Sequence, residues 1–528
     1  MSLVDTIHPN QAGSLPGLMA ERIRRSADTV AYRYFDNAER QWRELTWNQV
    51  GEAIERWRRA FAAEGLEPGQ RVGVMMRNSP FWVFFEQAAL SLGLVVVPLY
   101  TNDRGDNVIY IAGDADLHLL MIEGGEQWAE LQPVADQLPA HCRLLSLQPV
   151  AGLTTAEDWL AGAQSQAEPT PLELDPGQLA TIVYTSGTTG RPKGVMLSHD
   201  NLLWNAYSGL GGCEVRTSDV FLSFLPLSHT LERTVGHNIP IMAGAQVAYA
   251  RSIPELPEDL RIIRPTVLVA VPRIFDRVYR RIQAQLEEKP PMARRLFKLA
   301  VEVGWERFQF QQGRGTWTPR QTLFPLLDRL VARTVRERLG GRLRIAISGG
   351  APLALEVARV FLGLGVPVLQ GYGLTESSPV IAVNPLDDNV PHSIGVALPH
   401  VEVALADNGE LLTRSRSVML GYWNLPEASR EVIDEEGWLH TGDLARIEGR
   451  HVFITGRLKE IIVLANGEKV PPADMEMAIT LDPLFEQAVV LGEGRPYLTA
   501  LLVLESDQWR RFAAELGGDP DDPQVLRQ

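Results

Sequence analysis

Tyr184-Thr-Ser-Gly-Thr-Thr-Gly-Arg-Pro-Lys-Gly-Val195 is the stretch of this chain best suited to hold a polyphosphate. Gly187, Gly190 and Gly194 permit tight turns and positive φ, which opens backbone amides to an anion. Thr185, Ser186, Thr188 and Thr189 add hydroxyl donors, and Lys193 supplies a mobile cation. The spacing is not GxxxxGK(S/T), so the P-loop arrangement is excluded. A bland Gly/Ser/Thr turn is the competing explanation, and the length of TSGTTGRPKG weighs against it.

Further segments with chemistry-bearing residues follow in order: FLPLSHTLERT (224–234), SGGAPL (348–353), GYGLTESS (371–378), WLHTGDLA (438–445) and TGRLKEIIVLANGEKV (455–470). With these segments the chain resembles the adenylate-forming (AMP-binding) superfamily over nearly its whole length. The order VPRIFDRVY, a long helical insertion and then SGGAPL looks like the long-chain fatty acyl-CoA synthetase branch. The resemblance implies ATP-dependent activation of a fatty acid to acyl-AMP and then to acyl-CoA, with Mg²⁺ as cofactor and coenzyme A as co-substrate. The aromatic gate that some long-chain members carry after the PLSH motif is not identifiable, which leaves the acyl chain length open.

By that resemblance Gly349, Gly350, Ala351, Pro352, Gly371, Tyr372 and Gly373 form an adenine slot. Small residues let backbone approach a flat base, and Tyr372 can offer it a ring face. Glu376, beside Thr375, is assigned to Mg²⁺ with the Thr185 hydroxyl as a second oxygen, since magnesium takes few hard-oxygen ligands from protein. Asp443 suits the ribose hydroxyls and Arg457 the ribose or phosphate. An Asp–Arg salt bridge is compatible with those roles. His229 is placed near the substrate carboxylate and γ-phosphate, against a core-packed histidine as the plainer reading. Lys459 stands where the family places its hinge between large and small domains, against a plain surface lysine in a linker. Lys193, Glu376, His229 and Lys459 are thus the catalytic candidates, and Thr185 through Gly190 the nucleotide-binding loop.

Positioning these residues requires a frame. Short β-branched runs alternate with helical patterns: RVGVMMR, LVVVPLY, HLLMIE, LATIVYT, AQVAYA, VLVAVP, LRIAIS and VPVLQGYG. That alternation predicts an α/β fold with mainly parallel, buried strands. PFWVFFEQAALSLG followed by LVVVPLY is read as a helix and a buried strand, because Glu86, Gln87, Gly93 and Pro98 interrupt any membrane span. Residues from about 276 to 339 form an Arg-rich helical insertion, whose basic face fits a solvated scaffold better than a dedicated membrane or partner site. After about Gly409 short strands and turns predict a small β-rich subdomain. The expected division is an AMP-binding domain over 1–455, a hinge at 456–460 and a partial α+β C-terminal lid over 461–528, with a hairpin turning at Asn466-Gly467.

At 528 residues the chain needs more than one core, given roughly 100–200 residues per domain. Its 45% hydrophobic and 22% charged content is that of an ordinary globular protein. A net charge of −15 argues against a nucleic-acid partner, which needs a basic face. Cys142 and Cys213 stand far apart, so neither a disulfide framework nor a zinc site is expected, and with no signal segment a cytoplasmic location is expected, peripheral membrane contact being left open. Two alternatives accompany the ligase reading: a fatty acyl-AMP ligase delivering to a carrier protein, and a non-catalytic nucleotide- or acyl-binding chain. The latter rests on the tail. Related enzymes carry a late lysine that reaches the α-phosphate, whereas here no lysine follows Lys469, so a truncated lid with weakened adenylation is expected.

Overall fold

The computed structural model describes residues 4–163, 169, 172–185, 191–465, 468–482, 484–520 and 522. Two large sheets carry the site. The first has eight strands, running in space Gly421–Tyr422, Lys193–Ser198, Leu179–Thr185, Val95–Pro98, Arg71–Met75, Leu117–Ile122, Arg143–Ser146 and Thr154–Thr155. From Leu179–Thr185 outward to Thr154–Thr155 every pairing is parallel. The strand Val95–Pro98 is buried at all four residues, which explains why it reads as an unbroken apolar run rather than an alternating one.

The second sheet has thirteen strands. Its parallel part runs Val30–Asp36, Gln246–Tyr249, Val220–Ser223, Val267–Ala270, Ile345–Ser348 and Val368–Gly373. Beyond Val368–Gly373 the pairing turns antiparallel, through Val380–Val383 and Gly395–Ala397 to the hairpin Leu439–Glu448/His451–Arg457. The β-rich part therefore begins near 380 rather than 409. One strand expected in it lies elsewhere: Gly421–Tyr422 crosses to the first sheet and pairs with Lys193–Ser198.

Helices fill the space between and around the sheets. Pro80–Ser91 starts where the Ser79 hydroxyl accepts from the Trp82 amide and Pro80 presets the first turn, and nearly all of it is buried. His199–Gly212 begins with a capping box in which Ser198 and Asn201 each accept the other's backbone amide. Both contribute to one core that joins the two sheets. Between Val267–Ala270 and Ile345–Ser348, the chain makes helices Pro272–Glu287, Pro291–Gln311, Phe324–Leu327 and Arg333–Arg338. The second of these lies so close to helix Leu355–Gly363 that a Cβ on Gly304 would strike the Gly363 carbonyl oxygen.

The C-terminal part holds the pairs Ile462–Val463/Lys469–Val470 and Phe485–Leu491/Thr499–Leu504, with helices Ala473–Thr480 and Ser506–Glu515. The turn expected at Asn466-Gly467 lies outside the described residues. Arg280 reaches from the helical insertion to the Thr480 carbonyl at 2.5 Å, and Arg273 pairs with Glu486. Among the described residues no helix is long and apolar enough to cross a membrane.

Candidate active site

Parallel strands leave a crevice at their carboxyl ends, where backbone groups are unpaired and ligands bind. Gly349 and Gly350 follow the strand Ile345–Ser348, and Gly371, Tyr372 and Gly373 close the strand Val368–Gly373. Gly350 has φ +83°, and a Cβ at Gly373 would run into the Pro379 carbonyl oxygen, so these two positions need glycine. Gly349, Gly350, Gly371, Tyr372 and Gly373 line a cavity of about 650 Å³. Ala351 and Pro352 are exposed and do not line it.

Asp443 and Arg457 stand directly opposite each other on the hairpin Leu439–Glu448/His451–Arg457. Arg457 Nε donates to Asp443 Oδ1 at 2.9 Å, and the Tyr372 hydroxyl donates to Asp443 Oδ2 at 2.5 Å. The carboxylate is 3% exposed, and both its oxygens are engaged by protein. A ribose diol would share or displace one of these donors. Burial, followed by the negative charge of Asp443, pushes the Tyr372 hydroxyl well above its ordinary pKa, so it remains a donor.

On the other side, Thr185 and Lys193 face each other across the antiparallel strands Leu179–Thr185 and Lys193–Ser198. Glu376 lies in the turn Thr375–Ser377, and all three line the cavity. Tyr422 ties them together: its hydroxyl donates to Glu376 Oε1 at 2.8 Å, and Lys193 Nζ sits 4.9 Å from its ring centroid. Glu376 Oε2 carries no protein hydrogen bond among the described residues. This leaves a carboxylate oxygen and the Thr185 hydroxyl as hard donors on one cavity wall, a set that fits Mg²⁺. Ser186, Gly187, Thr188, Thr189 and Gly190 lie outside the described residues.

His229 also lines the cavity, together with Thr230, whose hydroxyl is 3.4 Å from that of Thr375. The ring is open to the cavity yet surrounded by protein on most other sides, and that burial lowers its pKa. Nδ1 accepts from the Leu231 amide at 3.1 Å, which leaves the proton of the neutral ring on Nε2. Lys459 is exposed at the rim, beside Leu458, whose amide donates to the Gly442 carbonyl at 2.9 Å. Past His229 the cavity turns apolar, between helix His199–Gly212 and the parallel strands, with Val215, Phe221, Val235, Ile239, Val267 and Ile345 on its walls.

The profile of the AMP-binding enzyme family matches residues 19–423, and that of the AMP-binding enzyme C-terminal domain matches residues 459–516. The chain belongs to the AMP-binding enzyme family. It is 31% identical to the long-chain-fatty-acid–CoA ligase FadD15 of Mycobacterium bovis over 97% of this chain and 87% of that protein. To the human long-chain-fatty-acid–CoA ligase ACSBG1 it is 31% identical over 95% of this chain and 72% of that protein. The anthranilate CoA ligase AuaEII, solved with anthranoyl-AMP, superposes with a TM-score of 0.73 at 20% identity, over 95% of this chain and 87% of that one. ATP-bound MatB from Rhodopseudomonas palustris gives a TM-score of 0.71 at 25% identity, covering 97% and 91% of the two chains.

Two features of this AMP-binding enzyme escaped sequence reasoning. Tyr422 stood in a segment read only as a strand, and nothing in GYWNL signals that it spans Lys193 and Glu376. The second is the foundation of the His229 loop. Arg233, in the π-helical turn Glu232–Asn238, donates from Nε to Glu86 Oε1 and from Nη1 to Thr181 Oγ1, each at 2.7 Å. His237 Nε2 donates to Glu86 Oε2 at 3.0 Å. A glutamate inside the largely apolar helix PFWVFFEQAALS was the available signal, since such a charge must be paired when buried.

Proposed function

We propose that this AMP-binding enzyme is a long-chain fatty acyl-CoA ligase that forms acyl-AMP from ATP and then transfers the acyl group to coenzyme A. The observation that carries the reading is a single cavity with a polar end (Thr185, Lys193, Glu376, Tyr372) and an apolar limb (Val215, Phe221, Val267, Ile345). The names of its relatives FadD15 and ACSBG1 support the same substrate class.

In the first step a carboxylate oxygen attacks the α-phosphorus, an α-phosphorus–oxygen bond breaks, and pyrophosphate leaves. The fatty chain lies in the apolar limb, which brings its carboxylate to the His229–Thr375 end. Lys193 holds the polyphosphate, steadied by the Tyr422 ring, and offsets repulsion between two anions as they approach. Glu376 and Thr185 would hold Mg²⁺, which neutralises phosphate charge when bound. The adenine lies along Gly349–Gly350 and Gly371–Gly373, and the Tyr372–Asp443–Arg457 group orients the ribose. In the second step the CoA thiolate attacks the acyl carbonyl carbon, the carbon–oxygen bond to phosphate breaks, and AMP leaves. Residues 456–460, with Lys459, are the hinge about which the C-terminal part turns between the two steps.

Incubating the chain with ATP, Mg²⁺, palmitate and CoA tests this reading. Palmitoyl-CoA and AMP in equal amounts, detected by mass spectrometry, are expected. Acyl-AMP that passes only to a carrier phosphopantetheine would identify a fatty acyl-AMP ligase instead, and absence of any acyl-AMP would overturn both readings.

We also infer that the helical insertion meets a lipid surface. Leu323, Leu326 and Leu330 recur at helical spacing and are 43%, 57% and 55% exposed, with Arg329 and Arg333 beside them. Leucines flanked by arginines suit an anionic bilayer, from which a fatty substrate is drawn.

A further inference from the structure

A group of metal-ligand side chains lies away from the cavity, on the first sheet. The strands Leu117–Ile122 and Arg143–Ser146 are parallel neighbours, with Leu119 opposite Arg143. That register places His118, near the start of one strand, beside His141 in the turn that leads into the other. Asp116, at φ +50°, forms the turn just before His118. One ligand atom from each of the three lies within 4.8 Å of the others, and none of the three lines the cavity.

The hydrogen bonds favour the ligand form of His118 and hold the Asp116 carboxylate in place. His118 Nδ1 is 3.1 Å from the Asp116 carbonyl oxygen. A carbonyl only accepts, so Nδ1 carries the proton and Nε2 of the neutral ring presents its lone pair. The two imidazole centroids are 4.5 Å apart at 48°. His141 Nε2 is 3.0 Å from Asp116 Oδ1, while Oδ2 accepts from Arg71 Nη2 at 2.7 Å. Arg71 also donates to the Ala115 and Asp116 carbonyls, so it fixes the carboxylate in the way outer partners fix metal-binding carboxylates.

We propose that Asp116, His118 and His141 form a binding site for a divalent transition-metal ion of the zinc class. The ion takes His118 Nε2, one His141 nitrogen and Asp116 Oδ1, with water in the fourth position, and replaces the His141–Asp116 hydrogen bond. Two imidazoles select against Mg²⁺, which prefers oxygen, so this site is chemically distinct from the phosphate end of the cavity. The positive charge of Arg71 makes it weaker than a closed four-ligand structural site.

Isothermal titration of the full, tag-free chain with zinc chloride tests the proposal, in the presence of millimolar Mg²⁺. One equivalent of zinc is expected to bind the wild-type chain and to raise its Tm. His141→Ala removes a half-exposed ring and leaves the core untouched, while His118→Gln keeps a polar side chain of similar reach. Each is expected to weaken zinc binding at least tenfold and to abolish the Tm shift. No zinc binding by the wild-type chain would overturn the proposal. So would binding unchanged in His141→Ala, which keeps the test valid even if His118→Gln misfolds.

Discussion

Tyr422 is the residue on which the polar end of the cavity turns, because it touches both the cation and the carboxylate assigned to the phosphates. Tyr422→Phe keeps the ring beside Lys193 and removes only the hydrogen bond to Glu376. A hydrogen bond to a charged group is worth about 1.5–3 kcal/mol, so the KM for ATP should rise by roughly tenfold or more with little change in the KM for fatty acid. Glu376→Ala removes the oxygen itself and is expected to lower ATP–pyrophosphate exchange by about a hundredfold or more while the melting curve stays in place. Exchange near the wild-type rate would remove Glu376 from the site. Lys193, Glu376, Asp443 and Arg457 stood out in the sequence by motif and chemistry, and the structure brings the first two and Arg457 to one cavity with Asp443 held against Arg457 and Tyr372. Tyr422 was not, since its role comes from a crossing between sheets that no local pattern encodes.

At the scale of elements, the π-helical turn Glu232–Asn238 carries a buried pair of opposite tendencies. The Glu86 carboxylate is pushed up by burial but pulled down further by Arg233 and His237, and it stays ionised. Glu86→Ala would strand the buried Arg233 guanidinium and should cost about 3–5 kcal/mol of stability in denaturant unfolding. Glu232 is the reverse case. Burial raises the pKa of its carboxyl to about 8, the Ser223 hydroxyl offsetting only part of the rise. The folded state thus holds a proton that the unfolded state loses above its ordinary pKa of 4.5. The contribution of Glu232 to stability therefore falls as pH rises from about 4.5 to 8, by up to about 5 kcal/mol, and is flat above that. Glu232→Gln should flatten this part of the pH–stability curve, and an unchanged slope would contradict the assignment. On the insertion, Leu326→Asp with Leu330→Asp should cut co-sedimentation with anionic vesicles several-fold without moving Tm. The eight strands read from sequence are present because parallel, doubly covered strands spell themselves as continuous apolar runs. The hairpin Val30–Asp36/Gln41–Thr46 went unread: it is half-exposed at a sheet edge, and its alternation is blurred by arginine and aromatic side chains that cover apolar surface with their stems.

Across the whole molecule, the cavity joins elements far apart in the chain: Thr185 and Lys193 from the first sheet, Gly349, Gly350 and residues 371–376 from the second, and Arg457 to Lys459 from the approach to the C-terminal part. The order of motifs made this assembly legible, but the apolar limb was not, because its walls are ordinary core residues until the space between helix and sheet is seen. If that limb holds the acyl chain, each further methylene buried adds about 0.8 kcal/mol until the space is filled. The most direct test is therefore the complete reaction across a series of saturated acids from C4 to C18, with ATP, Mg²⁺ and CoA, following AMP and acyl-CoA together. A kcat/KM that climbs steeply with chain length to a long-chain optimum, with one acyl-CoA for each AMP, is the predicted result. A flat or inverted series, or AMP formed without acyl-CoA, would contradict the assignment of this cavity to a long-chain fatty acyl-CoA ligase.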